Sequence, residues 1–219
     1  MTILLLILTA IICYAVGNVS GAMLLTRLWL KKKRGKYSAS ESKVLPFYKD
    51  FGTLPTVVLG IVEILRAVLC ALIGGWLLGI VGAASTGRLF GIFCLILGEC
   101  YPFLFLFKGG KGLLSAGIAA FVVDWRVGLC CVIAYVVVII FSRYAALGAV
   151  IAAVLSPILL WAFEFSGIDC TLALLCALLI ILSHGENLLN IFKGTEPRSF
   201  EFIPKHGNPA FDDEEEVNG

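Results

Sequence analysis

Charge is scarce in this chain. Only 15% of its 219 residues are Asp, Glu, Lys or Arg, while 60% are hydrophobic. A soluble domain carries roughly 25% charged residues and 45–50% apolar ones, and a chain this short has no interior large enough to hide the excess. An ordinary water-soluble fold is excluded, and a bilayer, which accepts apolar side chains on helix exteriors, becomes the expected solvent. Net charge is equally small, +2, so no global positive field points to nucleic acid. The eight cysteines (Cys13, Cys70, Cys94, Cys100, Cys130, Cys131, Cys170 and Cys176) form no C-x-x-C pair and sit in or beside apolar runs. Zinc and disulfide frameworks need other spacing and polar surroundings, so these thiols read as small packing residues. Also missing are a basic stretch ahead of the first apolar run and a small-residue cleavage site, so the opening segment is expected to be a retained helix rather than a secretory signal. No internal repeat is visible.

What is present is a series of apolar runs separated by short polar breaks. A spanning helix needs about 20 apolar residues. Candidate spans cover residues 2–30, 54–84, 89–107, 113–123, 127–141, 145–165 and 170–182. The pattern predicts an all-α integral membrane protein, one bundle of about seven transmembrane helices over residues 1–205, with an acidic, disordered tail over 206–219. The fourth, fifth and seventh runs are short, so a count of five also stands. With seven spans, one face receives thirteen of the Lys and Arg residues in the breaks and the other receives Arg88 and Arg126 alone. The positive-inside rule then places the N-terminus outside and the C-terminus in the cytoplasm.

Three breaks on the basic face carry chemistry. The first is Phe107-Lys108-Gly109-Gly110-Lys111-Gly112, following Tyr101-Pro102. Glycines let backbone N–H groups close around an anion, the next helix presents its positive end, and lysine adds a point charge. A tight turn with snorkelling lysines is the competing reading. The second break holds His184-Gly185-Glu186-Asn187 and then Lys193-Gly194-Thr195-Glu196. A histidine at a helix end is commonly structural, but this one is followed by Asn, Thr and two Glu beside a basic glycine loop. The third break, 31–53, has a Ser-rich centre in which Ser38 and Ser40 could ligate phosphate or belong to a solvated loop. Within the second run, Glu63 and Arg66 are spaced i, i+3 and share one helix face. Two charges at that depth pair with each other or face a polar cavity.

At these residues the chain resembles the acyl-phosphate:glycerol-3-phosphate acyltransferases, the small integral membrane enzymes called PlsY-type. Residues 97–117, LGECYPFLFLFKGGKGLLSAG, are similar to that family's G-H-x-F-P…F-K-G-G-K-G motif. Residues 183–198, SHGENLLNIFKGTEPR, are similar to its H-R-x-N-I-x-R-L-x-x-G-T-E motif. Glu63 and Arg66 stand where the family has an Asp…Lys pair, and residues 141–148 resemble its R-Y-x-S-L stretch. The resemblance implies a fatty acyl group moved from acyl phosphate to the sn-1 hydroxyl of glycerol 3-phosphate, giving lysophosphatidic acid, in a bacterial plasma membrane. It implies Lys111, His184 and Asn187 as catalytic residues. Lys108, Gly109, Gly110, Gly112, Ser38, Ser40, Arg143, Gly194, Thr195 and Glu196 would bind substrate or phosphate. Acyl phosphate is already activated, so the resemblance implies no metal and no cofactor.

The sequence departs from the pattern in places. The first basic loop lacks the family's glycines and has Pro46 where an Arg falls. Glu99 replaces the His of the glycine-loop motif, Ala146 replaces a Ser, and Gly185 and Asn190 replace two arginines. A non-catalytic relative that binds lipid or a membrane partner, and a small transporter, are the alternative readings.

Overall fold

The computed structural model describes residues 1–28, 48, 51–107 and 109–198. Ser38, Ser40, Lys108 and the acidic tail lie outside the described residues. All regular structure among the described residues is helical: α1 (Thr2–Gly17), α2 (Gly21–Leu28), α3 (Thr53–Gly79), α4 (Ala84–Cys100), a short 3-10 turn (Phe103–Phe105), α5 (Leu113–Val123), α6 (Trp125–Ser142), α7 (Ala145–Ala162), α8 (Gly167–Ser183) and α9 (Gly185–Phe192).

Local chemistry explains the helix ends. Pro55 sits in the first turn of α3, where its missing N–H is no loss. Asp124 caps α6: its carboxylate accepts the Arg126 backbone N–H at 2.7 Å and pairs with the Arg126 guanidinium at 2.8 Å. The bonds from Arg126 hold Asp124 at about 2, below the usual carboxylate range. Ser166 caps α8 by accepting the Asp169 N–H at 3.1 Å. Asp169 is itself buried and accepts from Thr86 Oγ1 at 2.8 Å, which fixes the start of α8 against the first turn of α4.

Two apolar runs end earlier than their hydropathy predicts. The run over 2–30 breaks after Gly17. There the Asn18 side chain turns back to donate to Tyr14 O at 2.8 Å, in a Gly-Asn-Val-Ser-Gly stretch whose polar side chains compete with the helix ladder. The run over 89–107 ends its helix at Cys100, because Pro102 disfavours helical geometry at the residue before it; Tyr101 has φ −130° and ψ 64°.

α4 lies at the centre, packed against α1, α3, α5 and α8, with α6 and α7 completing the outer row. The contact with α1 is close enough to require glycine on both sides. A Cβ on Gly98 would sit 2.5 Å from Tyr14 O and 3.0 Å from the Gly17 Cα. On α3 the buried stripe Arg66, Ala67, Cys70, Ala71 and Gly74 faces this core, while Leu65, Leu69, Leu72 and Trp76 form an exposed apolar stripe on the opposite side. In water that stripe would be unstable; against acyl chains it is ordinary. Among the described residues α3, α6 and α7 are long and apolar enough to cross a membrane. α8 and α9 together qualify as a fourth span bent by 55°, and α1 and α5 are shorter apolar helices.

Candidate active site

Where α1, α3, α4, α5 and α8 converge, the helices leave a cavity of about 1080 Å³. Small-molecule sites usually run to roughly 300–1,000 Å³, so this one has room for a long ligand. Its lining changes character along its length. Gly17, Ser20, Glu63, Arg66, Glu99, Lys111, Ser115, His184 and Asn187 make one polar region, whereas Val127, Cys131, Ala149, Ala152, Leu160 and Ala173 line an apolar arm between α6, α7 and α8.

The glycine loop enters the polar region folded against the end of α4. Gly110 N donates to Glu99 O at 2.8 Å, and a Cβ on Gly109 would lie 2.1 Å from that same oxygen. Gly109 therefore serves close approach, and the Gly110 N–H is taken up internally. Gly112, at φ 61°, takes the left-handed turn that starts α5. The N–H groups of the first turn of α5 have no carbonyl within their own helix to bond, and Gly112, Leu113, Leu114 and Ser115 all line the cavity. An anion placed there meets backbone donors and the positive end of the helix dipole.

Lys111 is anchored at this point. Its Nζ donates to Asn187 Oδ1 at 2.5 Å, and Asn187 Nδ2 donates in turn to Glu196. The chain reaches that position because α9 ends in a turn at Gly194, φ 70°, with Thr195 N and Glu196 N both bonded to Asn190 O at 2.9 and 3.2 Å. Ser183 Oγ donates to Lys111 O at 3.2 Å, a second tie between the loop and the α8–α9 junction. His184 stands at that junction, buried, with Nδ1 2.8 Å from Ile180 O. A carbonyl can only accept, so Nδ1 carries the hydrogen and Nε2 of the neutral ring is an acceptor.

Across the cavity, Arg66 pairs with Glu63 on its own helix and lies 3.5 Å from Glu99 Oε1. Its Nη2 donates to Val16 O at 2.9 Å, at the end of α1. Glu63 Oε1 accepts Gly21 N at 3.0 Å, and Ser115 Oγ donates to Glu99 Oε1 at 2.9 Å. Two carboxylates and one guanidinium thus form a bonded strut joining α1, α2, α3, α4 and α5. Among the described residues no three His, Cys, Asp or Glu side chains converge as metal ligands.

The glycerol-3-phosphate acyltransferase family profile matches residues 7–194. The chain belongs to that family. Members similar to it include the glycerol-3-phosphate acyltransferases of Finegoldia magna, 26% identical over 90% of this chain and 98% of that protein, and of Shewanella sp. strain MR-4, 31% identical over 90% and 94%. In fold it is similar to the crystal structures of PlsY (YgiH), an integral membrane glycerol 3-phosphate acyltransferase. The glycerol 3-phosphate form has TM-score 0.74 and 24% identity, covering 88% of this chain and 94% of that one. The lysophosphatidic acid form has TM-score 0.74 and 23% identity, covering 90% and 98%.

Of the residues the sequence nominated from this family, the structure brings Gly109, Gly110, Lys111, Gly112, Glu63, Arg66, His184 and Asn187 to the one cavity. Glu196 reaches it through Asn187. Gly194 and Thr195 shape the turn that delivers Glu196 but do not line the cavity. Arg143 is placed differently from expectation. It ends α6 in the left-handed conformation at φ 63°, exposed, and is not among the lining residues. Sequence reading missed Ser115 and Ser183, which carry no motif, and took Glu99 only as a departure from the family pattern. Glu99 is a lone carboxylate at the end of an apolar helix, ten positions before Gly109, and only the fold brings its partners Arg66 and Ser115 to it.

Proposed function

We propose that this protein transfers a fatty acyl group from acyl phosphate to the sn-1 hydroxyl of glycerol 3-phosphate, releasing lysophosphatidic acid and inorganic phosphate. The observation that carries this reading is the Lys111–Asn187 hydrogen bond, which closes the glycine loop onto the α8–α9 junction beside the apolar arm. The acyl chain lies in the arm, and the phosphate to which it is joined meets Lys111 and the first turn of α5. The acceptor hydroxyl attacks the acyl carbon, the bond from that carbon to the phosphate oxygen breaks, and the electron pair leaves with the phosphate. The hydroxyl proton goes to the departing phosphate. Lys111 and the α5 N–H groups stabilise the charge that grows on the leaving group, a contribution that is commonly the largest in acyl transfer. Holding two anionic substrates together supplies the rest through proximity.

The same reading places the chain in a bacterial plasma membrane with seven spans, the N-terminus outside and the glycine loop on the cytoplasmic side. The thirteen-to-two division of Lys and Arg supports that orientation. Incubation of purified protein with palmitoyl phosphate and radiolabelled glycerol 3-phosphate tests the activity. Labelled lysophosphatidic acid that requires both substrates is the expected result; folded protein that forms none would favour the non-catalytic reading.

A further inference from the structure

The strut beside the glycine loop holds groups that the transfer reaction just described does not use. Glu99 has one oxygen committed and one not. Oε1 accepts from Ser115 and faces Arg66, whereas Oε2 has no hydrogen bond among the described residues. Oε2 lies 3.7 Å from where a Cβ on Gly112 would be, so it borders the start of α5 inside the cavity. Ser20 also lines the cavity, is 7% exposed, and its Oγ has no hydrogen-bond partner among the described residues. The connection between them is continuous: Gly21, next to Ser20, bonds Glu63, Glu63 pairs with Arg66, and Arg66 faces Glu99. Space is left there as well, since a Cβ on Gly60, another lining residue, would meet nothing within 4 Å.

Charge decides what such a wall accepts. Arg66 is already paired with Glu63 and faces Glu99, so this wall offers no unpaired cation to a second phosphate. A neutral hydroxyl suits both an open carboxylate oxygen, which can only accept, and an unpartnered serine. The primary hydroxyl of the acceptor must face the acyl carbon at the head of the apolar arm. The hydroxyl left for this wall is the secondary one.

We propose that Glu99 Oε2, with Ser20 as a second polar group lining the same cavity, binds the secondary hydroxyl of the acceptor and so selects a vicinal hydroxyl-bearing phosphate over simpler ones. This rests on the acyltransferase reading above. The test compares glycerol 3-phosphate with 1,3-propanediol monophosphate, which lacks that hydroxyl alone, on the wild type, Glu99→Gln and Ser20→Ala. A hydrogen bond to a charged group corresponds to a preference of roughly tenfold or more. Wild-type kcat/KM should favour glycerol 3-phosphate by about that factor. Glu99→Gln, which keeps the shape and an acceptor for Ser115, should narrow that preference severalfold, because a neutral amide replaces the charged acceptor. Ser20→Ala should narrow the preference by a smaller factor, and it carries the test alone if Glu99→Gln does not fold. A wild-type preference retained in the variants overturns the assignment. Calorimetric binding of the two phosphates separates the two claims. Binding without turnover contradicts the transferase reading only; an equal binding ratio in wild type and variants contradicts the hydroxyl site only; no binding of either compound contradicts both.

Discussion

Lys111 and Arg66 are both cations on this cavity, and their surroundings give them different work. Arg66 has two carboxylates and a helix-end carbonyl around it, so its charge is consumed by the scaffold. Removing one partner of such a buried set leaves uncompensated charge and costs about 3–5 kcal/mol, whereas replacing the whole set with uncharged groups of similar size is often near neutral. Arg66→Met is therefore expected to lower unfolding stability by about that amount. The triple variant Glu63→Gln, Arg66→Met, Glu99→Gln should recover most of it, as measured by thermal unfolding in detergent. Lys111 donates instead to the neutral Asn187 side chain, which positions the ammonium at the glycine loop. Asn187→Leu should thus reduce turnover by roughly tenfold or more through misplacement of Lys111, with little change in melting temperature, a split that initial rates and unfolding curves on one preparation would reveal.

At the scale of elements, the bundle depends on helices that approach closely and end sharply. The Gly17–Gly98 contact leaves no volume for a side chain. Gly98→Leu should force α1 from α4, destabilising the fold by about 1–3 kcal/mol or more, which the same unfolding measurement would register. The cap on α6 predicts a pH effect. Asp124 has a folded value of about 2, below its ordinary 3.8. Its contribution is therefore present above pH 4 and lost as pH falls through 2. The stability gap between wild type and Asp124→Asn should shrink across that window. Much of this level was legible in the sequence: the starts of α5, α6 and α7 fall within two residues of the apolar runs at 113, 127 and 145, because hydropathy and helix boundaries coincide there. It failed at Asn18 and at Pro102, where a side-chain hydrogen bond and a proline restriction ended helices whose apolar character continued.

Among the described residues, the bundle of apolar helices carries an amphipathic cavity, and the family's two surviving motifs meet at its polar region. The resemblance named Lys111 and, more than seventy positions later, His184 and Asn187, and the fold sets Lys111 against Asn187 at hydrogen-bonding distance. Their meeting was legible only through the family, since spacing along the chain says nothing about which breaks come together in space. The strut around Glu99 was not legible, because a carboxylate in place of a family histidine gains meaning only when Arg66 and Ser115 are seen beside it. The central claim is that this junction performs acyl transfer. The most direct measurement is the initial rate of lysophosphatidic acid formation from palmitoyl phosphate and glycerol 3-phosphate, wild type against Lys111→Ala, both verified as folded by thermal unfolding. A wild-type rate well above background that falls by about 10²–10³ in the variant is the predicted result. Equal rates in the two proteins, or no product from the wild type, would contradict it.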